Sequence, residues 1–245
     1  MILEADGLQK AFGGVRAVDG VSFALSRGEV RALIGPNGAG KTTLFNMLTG
    51  QLSADAGRVT LRGEPVSGLP PHAIARRGVS RTFQITATFA SLSALENVQV
   101  ARLAHVGGSR GVTRPARGLE VGASLALLDQ VGLADSAARP SAVLAYGDLK
   151  KLELAVALAN EPELLLLDEP TAGMAPADRR ALMALVEAIA RARGLTVLFT
   201  EHDMDVVFQV ADRITVLHQG KVIADGPPAE VRADAEVQRV YLGEL

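Results

Sequence analysis

The sequence predicts an α/β fold with a parallel-sheet core, an N-terminal antiparallel β portion and a helical insertion. Three observations predict it. Apolar runs such as "VRALIG" and "ELLLLDEP" are short, continuous and end in turn or polar residues, as strands covered on both faces do. "ELLLLDEP" and "LTVLFTEHD" flank the helix-patterned "DRRALMALVEAIARARG", which is the spacing of a parallel strand–helix–strand unit. From Phe89 to Ala138 the chain turns rich in Ala, Leu and Ser with helical spacing.

Taken in order, Ile2 to Leu33 alternates in short runs punctuated by Gly13-Gly14, Gly20 and Gly28, the pattern of several strands joined by tight turns. "VRALIG" is a buried strand and "KTTLFNML" starts a helix. "GRVTLRGEPV" reads as a hairpin strand and a turn. "PPHAIARRG" is a short helix with Pro at its start and Gly at its end, and "VSRTFQ" is a further strand. Leu92, Leu95 and Val98 mark one helix of the insertion, and Leu125, Leu128 and Val131 mark another. The Gly-, Arg- and Pro-rich "GGSRGVTRPARG" links them. The insertion is expected over about residues 86–144 of a single domain covering 1–245. "RITVLHQGKVIADG" predicts a hairpin turning at Gln219-Gly220, and a short tail, about 227–245, follows.

Composition excludes several classes. The formal charge of −2 provides no global basic field for nucleic acid. The absence of cysteine excludes a disulfide framework and thiolate metal sites. "MILEADGLQK" has an early acidic residue and no long apolar core, so no signal peptide is expected. The longest apolar runs reach six residues, as at Leu154–Ala159. A membrane span needs about 20. The expectation is a cytoplasmic protein whose membrane role, if any, comes through a partner.

The stretch "LIGPNGAGKTTLFNML" fits G-x-x-x-x-G-K-[ST] from Gly35 to Thr42, between a strand and a helix. A phosphate needs many short N–H donors. Glycines let the loop curl its amides inward, and the following helix adds free N–H groups and the positive end of its dipole. Gly35, Pro36, Asn37, Gly38, Ala39, Gly40, Lys41, Thr42 and Thr43 therefore form the expected phosphate cradle, with Lys41 a point charge for the outer phosphates and Thr42 a hydroxyl ligand for Mg²⁺. "LLLLDEP" ends a dry strand on Asp168-Glu169, where two carboxylates need a cation or a proton. Mg²⁺ answers for Asp168. Glu169, on the opposite side of the strand, can orient or deprotonate an attacking water. His202, just past a second strand, can bond a γ-phosphate and that glutamate. Gln84, ending a third strand, can reach Mg²⁺ and the water.

The order of these parts, with "LAYGD" before a helical pattern, resembles the ABC-type ATPases over essentially the whole chain. The resemblance implies a P-loop NTPase (RecA-like) core with the N-terminal antiparallel β and helical insertion subdomains of that family, and head-to-tail pairs sharing two ATP molecules. It implies that Phe12 stacks on adenine and that Gln84, Asp168, Glu169 and His202 are the Q-loop, Walker B, catalytic-base and switch residues. "TAGMAP" stands at the D-loop. Leu144, Ala145, Tyr146, Gly147 and Asp148 stand where the family commonly has L-S-G-G-Q, so Ala145 lacks the usual hydroxyl and Asp148 sets a negative charge where glutamine is usual. That charge is expected to weaken ATP-driven closure, unless Asp148 turns aside and caps its own helix.

"FGGVRAVDGVSF", "RTFQ", "EHDM" and the ending "VQRVYLGEL" look like the ATP-binding subunit of a branched-chain amino-acid importer. Urea and amide importers and the lipopolysaccharide-export ATPase are close relatives. The resemblance implies a homodimer or a pair with a sister ATPase, membrane permease subunits as partners, a substrate-binding protein reached indirectly, and a place on the inner face of the cell membrane. Two rivals explain less. ABC ATPases acting on DNA or ribosomes carry long coiled-coil inserts or duplicated domains. A nucleotide kinase could use Arg102, Arg110, Arg114 and Arg117 in a lid, but it leaves "LAYGD" and His202 without a role.

Overall fold

The computed structural model describes residues 1–82, 88–107 and 118–242. A six-stranded sheet forms the core, in the order β10-β9-β3-β8-β7-β6. Its parallel strands are β3 (Val30–Ile34), β6 (Val79–Arg81), β7 (Leu164–Asp168), β8 (Thr196–Thr200) and β9 (Arg213–His218). β10 (Lys221–Gly226) closes one edge antiparallel to β9 through the turn at Gln219-Gly220. Both turn residues have positive φ, 48° and 78°, which fits a two-residue hairpin.

The continuous apolar runs follow from burial on two faces. Val30, Ala32 and Ile34 join one core cluster, with Leu165, Leu167, Val197 and Phe199. Leu33, Leu164, Leu166 and Leu198 face the other way into a second cluster. α6 (Pro176–Arg193), α7 (Met204–Val210) and α5 (Tyr146–Leu158) contribute to the first cluster, and α1 (Lys41–Leu48) to the second. An antiparallel sheet, in the order β2-β1-β4-β5, covers α1. It is built from β1 (Leu3–Phe12), β2 (Val15–Leu25), β4 (Ala56–Leu61) and β5 (Glu64–Pro65). α2 (Pro71–Ala75) leads into β6.

The helical insertion supplies α3 (Ala94–His105) and α4 (Val121–Gln130), packed on each other and on α5. Ser93 caps α3 in a reciprocal box with Glu96. Val98, Leu128 and Val131 are buried as their spacing predicts, whereas Leu125 is exposed because it lies off the face that meets α3 and α5. The tail holds α8 (Pro228–Ala233), α9 (Ala235–Val237), capped by Asp234, and a π-helical turn over Gln238–Leu242.

Two boundaries differ from expectation. The strand expected over "VSRTFQ" is β6, three residues long, although the Thr82 amide still reaches the Leu166 carbonyl at 3.0 Å. α5 begins at Tyr146, inside "LAYGD" and not after it. Gln84, Arg110, Arg114, Arg117, the expected insertion start at 86 and the last three residues lie outside the described residues. Among the described residues, no helix is long and apolar enough to cross a membrane.

Candidate active site

The sheet order brings three strand ends together. β3, β8 and β7 are adjacent and parallel, with Leu33 opposite Thr200 and Thr200 opposite Asp168. Their C-terminal ends therefore open on one edge, where ligands of parallel α/β sheets bind.

The loop from Gly35 to Gly40 leaves β3 there and runs into α1. Gly40 is the N-cap of α1 with φ 105°, and a Cβ on it would lie 2.2 Å from the Ala17 carbonyl oxygen. A Cβ on Gly35 would lie 2.2 Å from the Leu217 carbonyl oxygen. The loop is thus pressed against β2 and β9, and only glycine fits at these two points. The Gly220 amide holds the Ala39 carbonyl at 3.0 Å from below.

Lys41 is buried and its Nζ donates to the carbonyls of Gly35, at 2.6 Å, and Pro36, at 3.1 Å. Burial lowers its pKa from the usual lysine value, opposed by the charges of Glu169 and Asp168. The ammonium therefore spans its own loop, where phosphate oxygens would be stronger acceptors than these carbonyls. Thr42 is exposed at the open end of the helix and Thr43 is half-buried. Pro36, Asn37, Gly38 and Ala39 line a cleft of about 280 Å³ together with His218, Gln219 and Val240 of the tail. Phe12 is half exposed at the tip of the β1–β2 hairpin, paired with Val15, two residues before Ala17. Asp55 fixes that tip by accepting from Lys10 Nζ at 2.6 Å and from the Ala11 amide at 2.8 Å.

The two carboxylates after the leucines part as expected. Asp168 Oδ2 accepts from Arg81 Nη2 at 2.7 Å, and Oδ1 accepts from the Thr200 hydroxyl at 3.0 Å. Glu169 turns away with φ 49°, a left-handed conformation that costs about 1–3 kcal/mol outside glycine. Its amide donates to Thr200 Oγ1 at 2.9 Å, so one hydroxyl sets the divergence of both acids. Glu169 Oε1 lies 2.9 Å from His202 Nε2. With its proton on Nε2, the imidazole donates to the carboxylate.

Glu201 is a site residue that sequence reasoning missed. It is buried, and its Oε1 accepts from the Thr171 amide at 3.0 Å and the Thr171 hydroxyl at 2.6 Å. Its Oε2 accepts from the His202 amide at 3.2 Å. One carboxylate thus ties the loop after Glu169 to the segment that carries His202. A charged residue directly after the buried "TVLFT" was the available signal. Arg81 and Thr200 were equally unassigned, because their roles depend on residues far away in the chain.

The Leu144–Asp148 segment lies at the start of α5, with Ala145 as N-cap and no side-chain cap. Asp148 does not cap the helix. Its Oδ1 accepts from Lys151 Nζ at 3.0 Å, a pair on one helix face that offsets its charge. The Tyr146 hydroxyl donates to the Ala172 carbonyl at 2.8 Å, which joins this segment to "TAGMAP". Met174 lies against Gly147.

Among the described residues, no cluster of three or more His, Cys, Asp or Glu could hold a metal ion by itself. Thr42 and Asp168 nevertheless carry hydroxyl and carboxylate oxygens, those of Asp168 bonded here to Arg81 and Thr200, a donor chemistry that fits Mg²⁺ shared with phosphate oxygens.

Comparison with known proteins agrees with this geometry. The profile of the ABC transporter family matches residues 18–172. That of the Branched-chain amino acid ATP-binding cassette transporter matches residues 221–244. The High-affinity branched-chain amino acid transport ATP-binding protein BraF of Pseudomonas aeruginosa is 41% identical, over 99% of this chain and 98% of its own. Its namesake LivG of Escherichia coli K12 is 40% identical over the same shares. The ADP conformation of MJ1267, an ATP-binding cassette of an ABC transporter, superposes with a TM-score of 0.88 at 30% identity, covering 99% of this chain and 98% of that one. A phosphate loop, paired strand-end acids and a histidine on one sheet edge, in a chain alike from end to end, place this protein in the ABC transporter family as an ATP-hydrolysing, ATP-binding subunit.

Proposed function

We propose that the chain is the ATPase subunit of a branched-chain amino-acid importer. It would act on the inner face of the membrane, paired with a second copy or a sister subunit and docked on permease subunits that a substrate-binding protein supplies. The tail profile and the two named relatives support the solute class. The observation that carries the catalytic assignment is the 2.9 Å contact between His202 and Glu169 at the strand edge shared with the phosphate loop. The working division is one domain over 1–245, with an insertion over about 86–144 and a tail over about 227–245.

In this reading residues 35–43 cradle the phosphates, Lys41 meets the outer ones and Phe12 stacks on the adenine. Thr42, Gln84 and Asp168 would hold Mg²⁺, which would neutralise phosphate charge. Glu169 accepts a proton from the attacking water, and His202 keeps the carboxylate aimed while reaching toward the γ-phosphate. Tyr146, Gly147 and Asp148, with Ala145 as the cap, present the α5 N-terminus to the nucleotide of the opposite subunit. ATP then favours the closed pair because it contacts both subunits, and hydrolysis removes that preference. The insertion transmits the motion to the permease.

The test is Glu169→Gln. Turnover should fall by about 100-fold or more, while ATP binding persists and the closed pair accumulates. Wild-type turnover would remove Glu169 as the base. The solute is tested by purifying the permease subunits with the chain from native membranes, reconstituting them, and measuring ATP-driven uptake of leucine, isoleucine and valine against urea.

A further inference from the structure

Arg81 occupies a position that no part of the proposed cycle uses. It ends β6, at the start of the segment leading to Gln84. Its guanidinium and the Asp168 carboxylate are both buried, at 8% and 5% exposure, and meet at 2.7 Å. The other guanidinium nitrogen donates to Asn46 Oδ1 at 2.7 Å, Gln51 Oε1 at 3.1 Å and Thr49 Oγ1 at 3.2 Å, at the end of α1 and just beyond. Its face lies over the Phe45 ring, 5.6 Å from the centroid. The planar fork is thus fixed on one side by α1 and offers its other side to Asp168.

This arrangement makes a cation of the protein's own the partner of the acid that the metal requires. Thr200 takes one oxygen of Asp168 and Arg81 takes the other. A buried carboxylate without Arg81 would carry an uncompensated charge, which a divalent cation would satisfy. With Arg81 in place the charge is already balanced, and the guanidinium also repels an incoming cation. Arg81 also borders a cleft of about 290 Å³ with Val79, Thr88 and Asn160.

We infer that Arg81 is a positioning residue that competes with the divalent cation for Asp168. It keeps the acid satisfied when the site is empty and weakens the cation's hold when nucleotide is present. The inference rests on the reading of Asp168 as a metal-site residue.

The experiment is ADP affinity by titration calorimetry, in excess magnesium and in EDTA, read as the ratio of the two dissociation constants. This readout does not depend on turnover. Arg81→Gln should raise the magnesium enhancement by about tenfold, the scale of one nearby charge at a partly shielded site. Arg81→Lys keeps the charge but loses the fork, and should raise it by a smaller factor of about two to three. If Arg81→Gln does not fold, as judged by circular dichroism, the lysine variant decides alone. An enhancement equal to or below wild type in the folded variants overturns the proposal and leaves Arg81 as a strut between β6, α1 and β7. Asp168→Asn separates the two layers. If it lowers the enhancement while the Arg81 variants do not raise it, only the competition fails. If it leaves the enhancement unchanged, the metal reading of Asp168 fails and the proposal falls with it.

Discussion

The Tyr146 hydroxyl lies 2.8 Å from the Ala172 carbonyl oxygen, joining the first turn of α5 to the loop that follows Glu169. In the proposed pair the α5 terminus would face the partner subunit, while the loop follows the chain's own Glu169. Tyr146→Phe deletes one hydrogen bond and keeps the ring. Thermal unfolding should show a loss of about 1 kcal/mol, and steady-state ATP hydrolysis should fall several-fold. An unchanged rate would show that the two segments work independently.

Glu201 makes three hydrogen bonds, two to Thr171 and one to the His202 amide. Glu201→Gln presents an amide donor where donors already converge, so at least one bond is lost and a buried donor is stranded. Denaturant titration should report a loss of about 1.5–3 kcal/mol, the range for bonds to a charged group. Because Glu201 ties the loop after Glu169 to the segment that carries His202, kcat should drop more than KM changes. A rise in KM alone would argue against this role.

Asp148 is paired with Lys151 at 3.0 Å, so its charge is partly offset within its own helix. Both side chains are about one-third exposed, and the pair is worth under about 1 kcal/mol. In a Glu169→Gln background that retains ATP, Asp148→Gln should strengthen ATP-dependent dimerisation, as measured by analytical ultracentrifugation. Lys151→Gln should weaken it by leaving the carboxylate uncompensated. Equal association constants in all three proteins would mean that this charge does not face the phosphate.

Asp212 ties the first residue of β3 to α6. It accepts from the Val30 amide at 2.8 Å and from both terminal nitrogens of Arg191, at 2.6 and 3.0 Å. Burial pushes its pKa up, but Arg191 and the Val30 amide outweigh burial and hold it below its ordinary value of 3.8. A depressed folded-state value means that this stability is present above pH 3.8 and is lost as pH falls through the lower folded-state value. Asp212→Asn should melt below wild type at neutral pH, by under about 1 kcal/mol because the pair is partly exposed. The gap should close in melts taken below that range, and a gap independent of pH would refute the assignment.

The alternating and continuous apolar runs made the strands legible, since each reports which of its faces is covered. β3, β7 and β8 appear where the leucine- and valine-rich stretches are, and the hairpin turns at Gln219-Gly220 as its residues suggest. The start of α5 was harder to place. Tyr146, Gly147 and Asp148 are poor helix formers, and the tertiary contact at Ala172 with the i,i+3 pair of Asp148 and Lys151 overrides that preference. Arg31 is buried inside the otherwise apolar β3 because Glu29 and Asp225 flank it, at 2.6 and 2.9 Å. The glycine-rich loop between β3 and α1 was legible because its pattern is local. Arg81 beside Asp168 and Glu201 beside Thr171 were not, being 87 and 30 residues apart in the chain. Such pairs exist only once the sheet order is known.

The Gly220 amide grips the Ala39 carbonyl, and the Gly220 carbonyl in turn takes the Asp19 amide at 2.8 Å. The floor of the Gly35–Gly40 loop is therefore stitched at one residue to β2 of the antiparallel sheet and to the far hairpin of the core. On the proposed reading, a nucleotide bound on this loop would act as a rivet through both layers. Its departure would then loosen the seam between them, and the rigidity of the two sheets would report occupancy well away from the reacting bond.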